Sequence, residues 1–262
     1  MVVSRGSSSV EQVAIGTATL VVALLGYIML PQLDDTLAPA VGAAVALVLG
    51  MGAFLVARAH PSFGALGRGY VWTLWVAPVA WFAASAALLR LTGGGTGLAV
   101  AALATALLGI ILAAQQRELQ LAAGTRRGAE FLVSLAVFVS AFALFGLLYE
   151  QRALGWPVAL AAAALAAVLA TVPLRRAAVD EQRTALYAAL VGLVVGQVAW
   201  ALTYWTATAI VGGAFLLLLF YVLVGISEAV LDRSFGRRVL LEYGVVGACG
   251  LVLIVGAGPW HV

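Results

Sequence analysis

TALYAALVGLVVGQVAWALTYWTATAIVGGAFLLLLFYVLVGISEAVL, residues 184–231, is the stretch that decides the fold. As one helix it would run ~70 Å at 1.5 Å per residue, far beyond the ~30 Å of hydrocarbon in a bilayer. It must therefore fold back on itself. Thr184–Trp205 goes up and Ala209–Leu231 comes back, with Thr206-Ala207-Thr208 between them. Tyr204 and Trp205 fall at the bend, and such rings prefer the membrane–water interface.

The rest of the chain repeats this character. Of 262 residues, 64% are hydrophobic and only 10% charged, where a soluble domain carries about 25% charged residues. Mean hydropathy is +1.11. Further apolar runs are Val13–Leu30, Leu37–Ala57, Tyr70–Leu89, Leu98–Ala114, Ala129–Tyr149, Trp156–Leu174 and Val239–Gly258. Pro39 and Pro157 stand in first turns, where a missing N–H costs nothing. Pro78 lies inside its run, so it kinks the helix and frees the carbonyl of Leu74. A polar extension, Gln115–Ala123, follows the fourth run, and Gly124-Thr125-Arg126-Arg127-Gly128 breaks the helix. Residues 1–12 read as a flexible cytoplasmic leader and residues 259–262 as a short outer tail. The first run is too long for a signal h-region and no A-x-A-like site follows it, so it reads as an uncleaved span.

The expected fold is an all-α integral membrane protein. One domain, residues 13–258, forms a bundle of nine transmembrane helices with the N-terminus cytoplasmic and the C-terminus outside. Arginine placement orients it. With nine spans, twelve arginines fall on the cytoplasmic face and two, Arg90 and Arg152, on the other. This also explains the pI of 9.4: the basic face lies against anionic headgroups. The arginines are spread over short loops, so nucleic acid is not an expected partner. Expected partners are the lipid bilayer and other membrane proteins. All fourteen basic residues are arginine, a bias of GC-rich prokaryotic genomes, so the expected location is a prokaryotic cell membrane, crossed many times.

Catalytic chemistry finds little to work with. Without lysine there is no Schiff base. His60 and His261 lie about a membrane apart and cannot share a haem or metal, so no cofactor is expected. Gly225-Ile226-Ser227-Glu228-Ala229 only approximates a nucleophile elbow, and no histidine can serve as its base. Gly93-Gly94-Gly95-Thr96-Gly97 lacks the Lys-Ser/Thr of a P-loop and reads as a turn. Cys249, the single cysteine, reads as a small buried hydrophobe.

Four residues stand out as a candidate binding site: Gln197, Trp200, Tyr221 and Glu228. Gln197, Trp200 and Tyr204 share a helical face at i, i+3 and i+7. An amide in hydrocarbon needs a partner. A hydrogen-bonded layer of Gln197 with Trp81, Trp200 and Tyr221 would supply one. Glu228 stands in the last turn of its helix, where a negative charge opposes the macrodipole, and Asp232 adds repulsion. A cation should compensate: Arg237, Arg238 or an arginine from another cytoplasmic loop. Gly192-x-x-x-Gly196, Gly42-x-x-x-Ala46 and Gly244-x-x-x-Ala248 are small-residue faces for close helix packing. The expected function is that of a non-catalytic accessory or structural subunit of a membrane complex. The alternative is a permease or lipid-handling protein for a neutral or apolar solute.

Overall fold

The computed structural model describes residues 5–34, 36–58, 68–92, 97–119, 123–177 and 180–257. Expectations for His60, His261 and the Gly93–Gly95 turn lie outside these residues. The described chain holds nine helices: α1 Arg5–Met29, α2 Ala38–Arg58, α3 Arg68–Thr92, α4 Gly97–Glu118, α5 Ala123–Glu150, α6 Trp156–Ala177, α7 Glu181–Leu202, α8 Ala209–Leu231 and α9 Arg237–Ala257. No strand occurs among the described residues. Eight of the nine, α1 to α8, are long and apolar enough to cross a membrane. Helix α9 is not among the eight; it begins on Arg237 and Arg238 and carries Glu242 in its second turn.

Several boundaries differ from the sequence reading, among them α7, which runs Glu181–Leu202 and leaves Tyr204 and Trp205 in the turn beyond it. Helix α1 begins at Arg5, so residues 5–12 are helical rather than a loose leader. Helix α4 ends at Glu118 and α5 begins at Ala123, which places Gly124 and Gly128 inside a helix. A glycine costs a helix only about 1 kcal/mol, and the long apolar run behind these two carries them. Helix α6 continues through Pro173 to Ala177 rather than stopping at Leu174.

The chain divides into two compact units, residues 1–140 and 141–262. Helix α5 is continuous through the division. In the first unit, α1 to α4 form a closed ring in which each helix packs mainly on two neighbours. Its core holds Tyr27, Leu49, Phe82 and Leu108. Tyr27 is 1% exposed and stacks at 4.9 Å on Phe82, so it is a core residue and not the interfacial ring its place in sequence implies. Close approach follows from glycine. A Cβ on Gly50 would fall 2.5 Å from the Trp75 ring, and one on Gly52 would strike Thr19.

In the second unit α8 is the hub: it packs on α6, α7 and α9, and Gly212 and Gly213 seat the end of α5. A Cβ on Gly213 would come within 2.8 Å of the Gly146 Cα, and Tyr149 lies flat over Gly212. The Tyr149 hydroxyl donates to the Trp205 carbonyl in the α7–α8 turn, and Tyr149 is buried too. Helices α6 and α7 lie closest. Cβ atoms on Gly192 and Gly196 would meet Ala163 and Ala167 at 2.5–2.7 Å, as the small-residue face predicts. The other two faces behave differently. Gly42 makes only ordinary contact with Leu30, and Gly244 faces open space. On α8 and α9 the packing glycines are Gly225, under the Tyr243 ring, and Gly250, against Leu218. Cys249 is exposed, not buried.

Helix ends are capped where side chains allow. Asp180 accepts from the Gln182 N–H at 3.1 Å and Thr208 from the Val211 N–H at 3.4 Å, starting α7 and α8. The α6 entry uses Gly155 at φ 70°, a conformation open to glycine.

The proline in α3 shows how the polar backbone is closed. Pro78 cannot donate to Leu74, and the Gln115 side chain takes its place: Nε2 donates to the Leu74 carbonyl at 3.1 Å. Gln115 is therefore buried in the helix pair instead of standing beyond the membrane. Replacing Gln115→Leu should lower stability by about 1–3 kcal/mol, because a buried carbonyl loses its donor. Adding Pro78→Ala returns a backbone N–H to Leu74 and should recover much of that loss. Thermal unfolding of the four proteins in detergent checks this; strictly additive effects would disprove the exchange of donors.

Candidate functional site

The four residues singled out in the sequence do not form one site. They fall in two places on the second unit, and Trp81 lies in the first unit, where its indole N–H donates to the Ala104 carbonyl at 3.0 Å. Among the described residues no hydrogen bond joins Gln197 to Trp200 or Tyr221.

One place is the end of α8 against α9. Tyr221, Gly225 and Glu228 stand at i, i+4 and i+7 on one helical face. Glycine at 225 leaves room for the ring of Tyr243 from α9. Tyr221 and Tyr243 lie with ring centroids 5.7 Å apart, tilted by 56°. Glu228 is half-buried, and Tyr243 is near enough to feel its charge and that of Glu242. The cation acting on Glu228 is Arg176, at the end of α6, while Asp232 repels it. The compensating charge thus comes from another loop, one of the sources the sequence leaves open, and not from Arg237 or Arg238. Tyr243 is the member of this cluster that sequence pattern does not single out. At residue 243 an apolar run has barely begun, and an interfacial ring is the ordinary reading.

The backbone helps at the same spot. Helix α8 ends in a Schellman motif: the Ser234 N–H donates to the Ala229 carbonyl at 3.0 Å and the Arg233 N–H to the Val230 carbonyl at 3.1 Å. The left-handed residue is Arg233, with φ 54°, where glycine is usual. Arginine there carries a positive charge to a helix C-terminus that already bears Glu228 and Asp232.

The other place is the outer side of α7. Gln197 is exposed, Trp200 is 53% exposed and Tyr204 81%. No hydrogen bond within the described chain ties the Gln197 amide. Gln197 stands five residues, ~7.5 Å of rise, before the end of α7. It is inside the span but not at its centre. Glu228 is three residues, ~5 Å, from the opposite end of the hairpin. The two groups therefore differ in depth by ~20 Å, given helices of this length.

Among the described residues no cluster of His, Cys, Asp or Glu could hold a metal ion. The Glu228 neighbourhood is electrostatic packing between helix ends. Arg176→Met should destabilise the protein by about 1–3 kcal/mol by leaving a half-buried carboxylate with repelling neighbours. Glu228→Gln in that background should restore most of it. Denaturation in detergent measures the cycle, and independent losses would show that Arg176 and Glu228 are not coupled.

No curated protein and no solved structure matches this chain. Residues 15–257 match the model of one family, described as a protein of unknown function (DUF5656), and the chain belongs to that family.

Proposed function

We propose that this protein is a non-catalytic accessory or structural subunit of a membrane complex. The observation that carries the reading is the outer side of α7. An amide costs several kcal/mol in hydrocarbon without a partner, and Gln197 is exposed with no hydrogen bond among the described residues. Another protein surface resolves this; lipid tails do not. The permease alternative would route a solute past Gln197 and Glu228. Their separation in depth and their different neighbours give that path little support.

We also read all nine helices as spans, with the N-terminus in the cytoplasm and the C-terminus outside. Arginines cluster at or near the N-terminal ends of α1, α3, α5, α7 and α9, and at or just past the C-terminal ends of α2, α4, α6 and α8. For helices of alternating direction that is one face. The two exceptions are held by the protein itself. Arg90 donates to the Leu33 carbonyl at 3.4 Å, and the Arg152 guanidinium lies 5.0 Å from the centre of the Tyr149 ring.

Two measurements test this reading. Extraction in a gentle detergent should yield an assembly of fixed stoichiometry, and a monodisperse monomer would overturn the subunit role. Tags at the two termini should be accessible from opposite sides of the membrane; accessibility from one side would overturn the nine-span orientation.

A further inference from the structure

We propose that the outer face of α7 is the seam of a parallel dimer, closed by a second copy of this chain through a reciprocal Gln197–Gln197 hydrogen bond. This rests on the subunit reading and names the partner.

Leu186, Leu190, Leu193, Gln197, Trp200 and Tyr204 are all exposed. From Leu186 to Trp200 the spacing along α7 is 4-3-4-3, the repeat that keeps one seam of a helix facing a partner in a left-handed pair, and Tyr204 follows in the turn past Leu202. The opposite face of the same helix is already used: Gly192 and Gly196 are pressed against α6. A second face in heptad register is thus left exposed among the described residues.

The amide determines the occupant. A bilayer holds every copy of a membrane protein in one orientation, so two α7 helices meet in parallel about a two-fold axis along the membrane normal. Residues at the same depth then face each other, and Gln197 meets Gln197. A carboxamide carries both an NH₂ donor and a carbonyl acceptor, so each amide satisfies the other. An unrelated protein would need a donor and an acceptor at this same depth; a second copy has them by symmetry. The leucines supply interlocking contact below the pair, and Trp200 and Tyr204 cover it towards the interface. A single polar residue in a heptad seam also fixes register.

Cross-linking of the full-length protein in its native membrane tests this. The exposed thiol of α9 is first removed by Cys249→Ser. In that background Leu193→Cys should form a covalent dimer on mild oxidation. Val168→Cys, equally exposed on α6, should not. Gln197→Leu should weaken the dimer about 3- to 30-fold in detergent, the range of an interhelical hydrogen bond, while Gln197→Asn keeps most of it. Gln197 is exposed, so replacement by leucine does not threaten the fold. A Leu193→Cys adduct with a different protein would overturn the second copy yet leave the subunit reading standing. No adduct together with a monomer at every concentration would overturn both. A dimer unaffected by Gln197→Leu would overturn the amide pair.

Discussion

Hydrocarbon offers no water to complete a hydrogen bond, so every polar group in a span must be answered by protein. Most features of this chain follow from that. Helices are the elements because they close their own backbones. Threonines turn back on their own helices: Thr17 donates to the Val13 carbonyl, Thr105 to Ala101 and Thr203 to Trp200, each at 2.6–2.8 Å. Where a proline opens the ladder of α3, an amide from α4 closes it. Where α7 turns into α8, the chain leaves helical geometry and a tyrosine from α5 accounts for one of the freed carbonyls.

The same solvent weakens the usual reason for helices to associate, since lipid tails are as apolar as leucine. Close approach takes over. Helix α8 shows this at both ends, with Gly212 and Gly213 receiving Tyr149 and Gly146, and Gly225 receiving Tyr243. Large rings pack over missing side chains, so an aromatic residue that could serve an interface serves the core. The structure therefore spends its tyrosines in two ways: Tyr27 and Tyr149 hold helices together, whereas Tyr204 points outward.

Chemistry that acts along the chain was legible in the sequence; chemistry that depends on which way a helix faces was not. Span length, the fold-back at Thr206–Thr208, the freed carbonyl at Leu74 and the misplaced charge of Glu228 all follow from local composition. The facing of Gly42, Gly192 and Gly244 does not. In helices apolar all round there is no polar side to mark the outside, and three similar small-residue patterns receive three different environments. Gln115 was misread for a related reason: it stands at a polar boundary in sequence, and only the neighbouring proline shows that its amide is needed inside. Gln197 has no hydrogen bond to Trp200 or Tyr221, because Tyr221 faces Tyr243 of α9 while Gln197 and Trp200 lie on the exposed side of α7.

Glu228 and Gln197 now separate on physical grounds. A carboxylate is the costlier group, yet Glu228 sits at a helix end with Arg176 acting on it and the Tyr221–Tyr243 pair on the same face; its charge is answered locally. An amide is the cheaper group, yet Gln197 has an apolar helix face around it and no hydrogen bond among the described residues. The unsatisfied group is therefore the neutral one, and what it lacks is a donor and an acceptor at a single depth. Folding of one chain closes the Leu74 carbonyl of α3 and the Trp205 carbonyl after α7, but the Gln197 amide has no hydrogen bond among the described residues. Association of two chains closes it with no residue added, which makes the α7 seam a consequence of the same constraint that shapes the rest of the bundle.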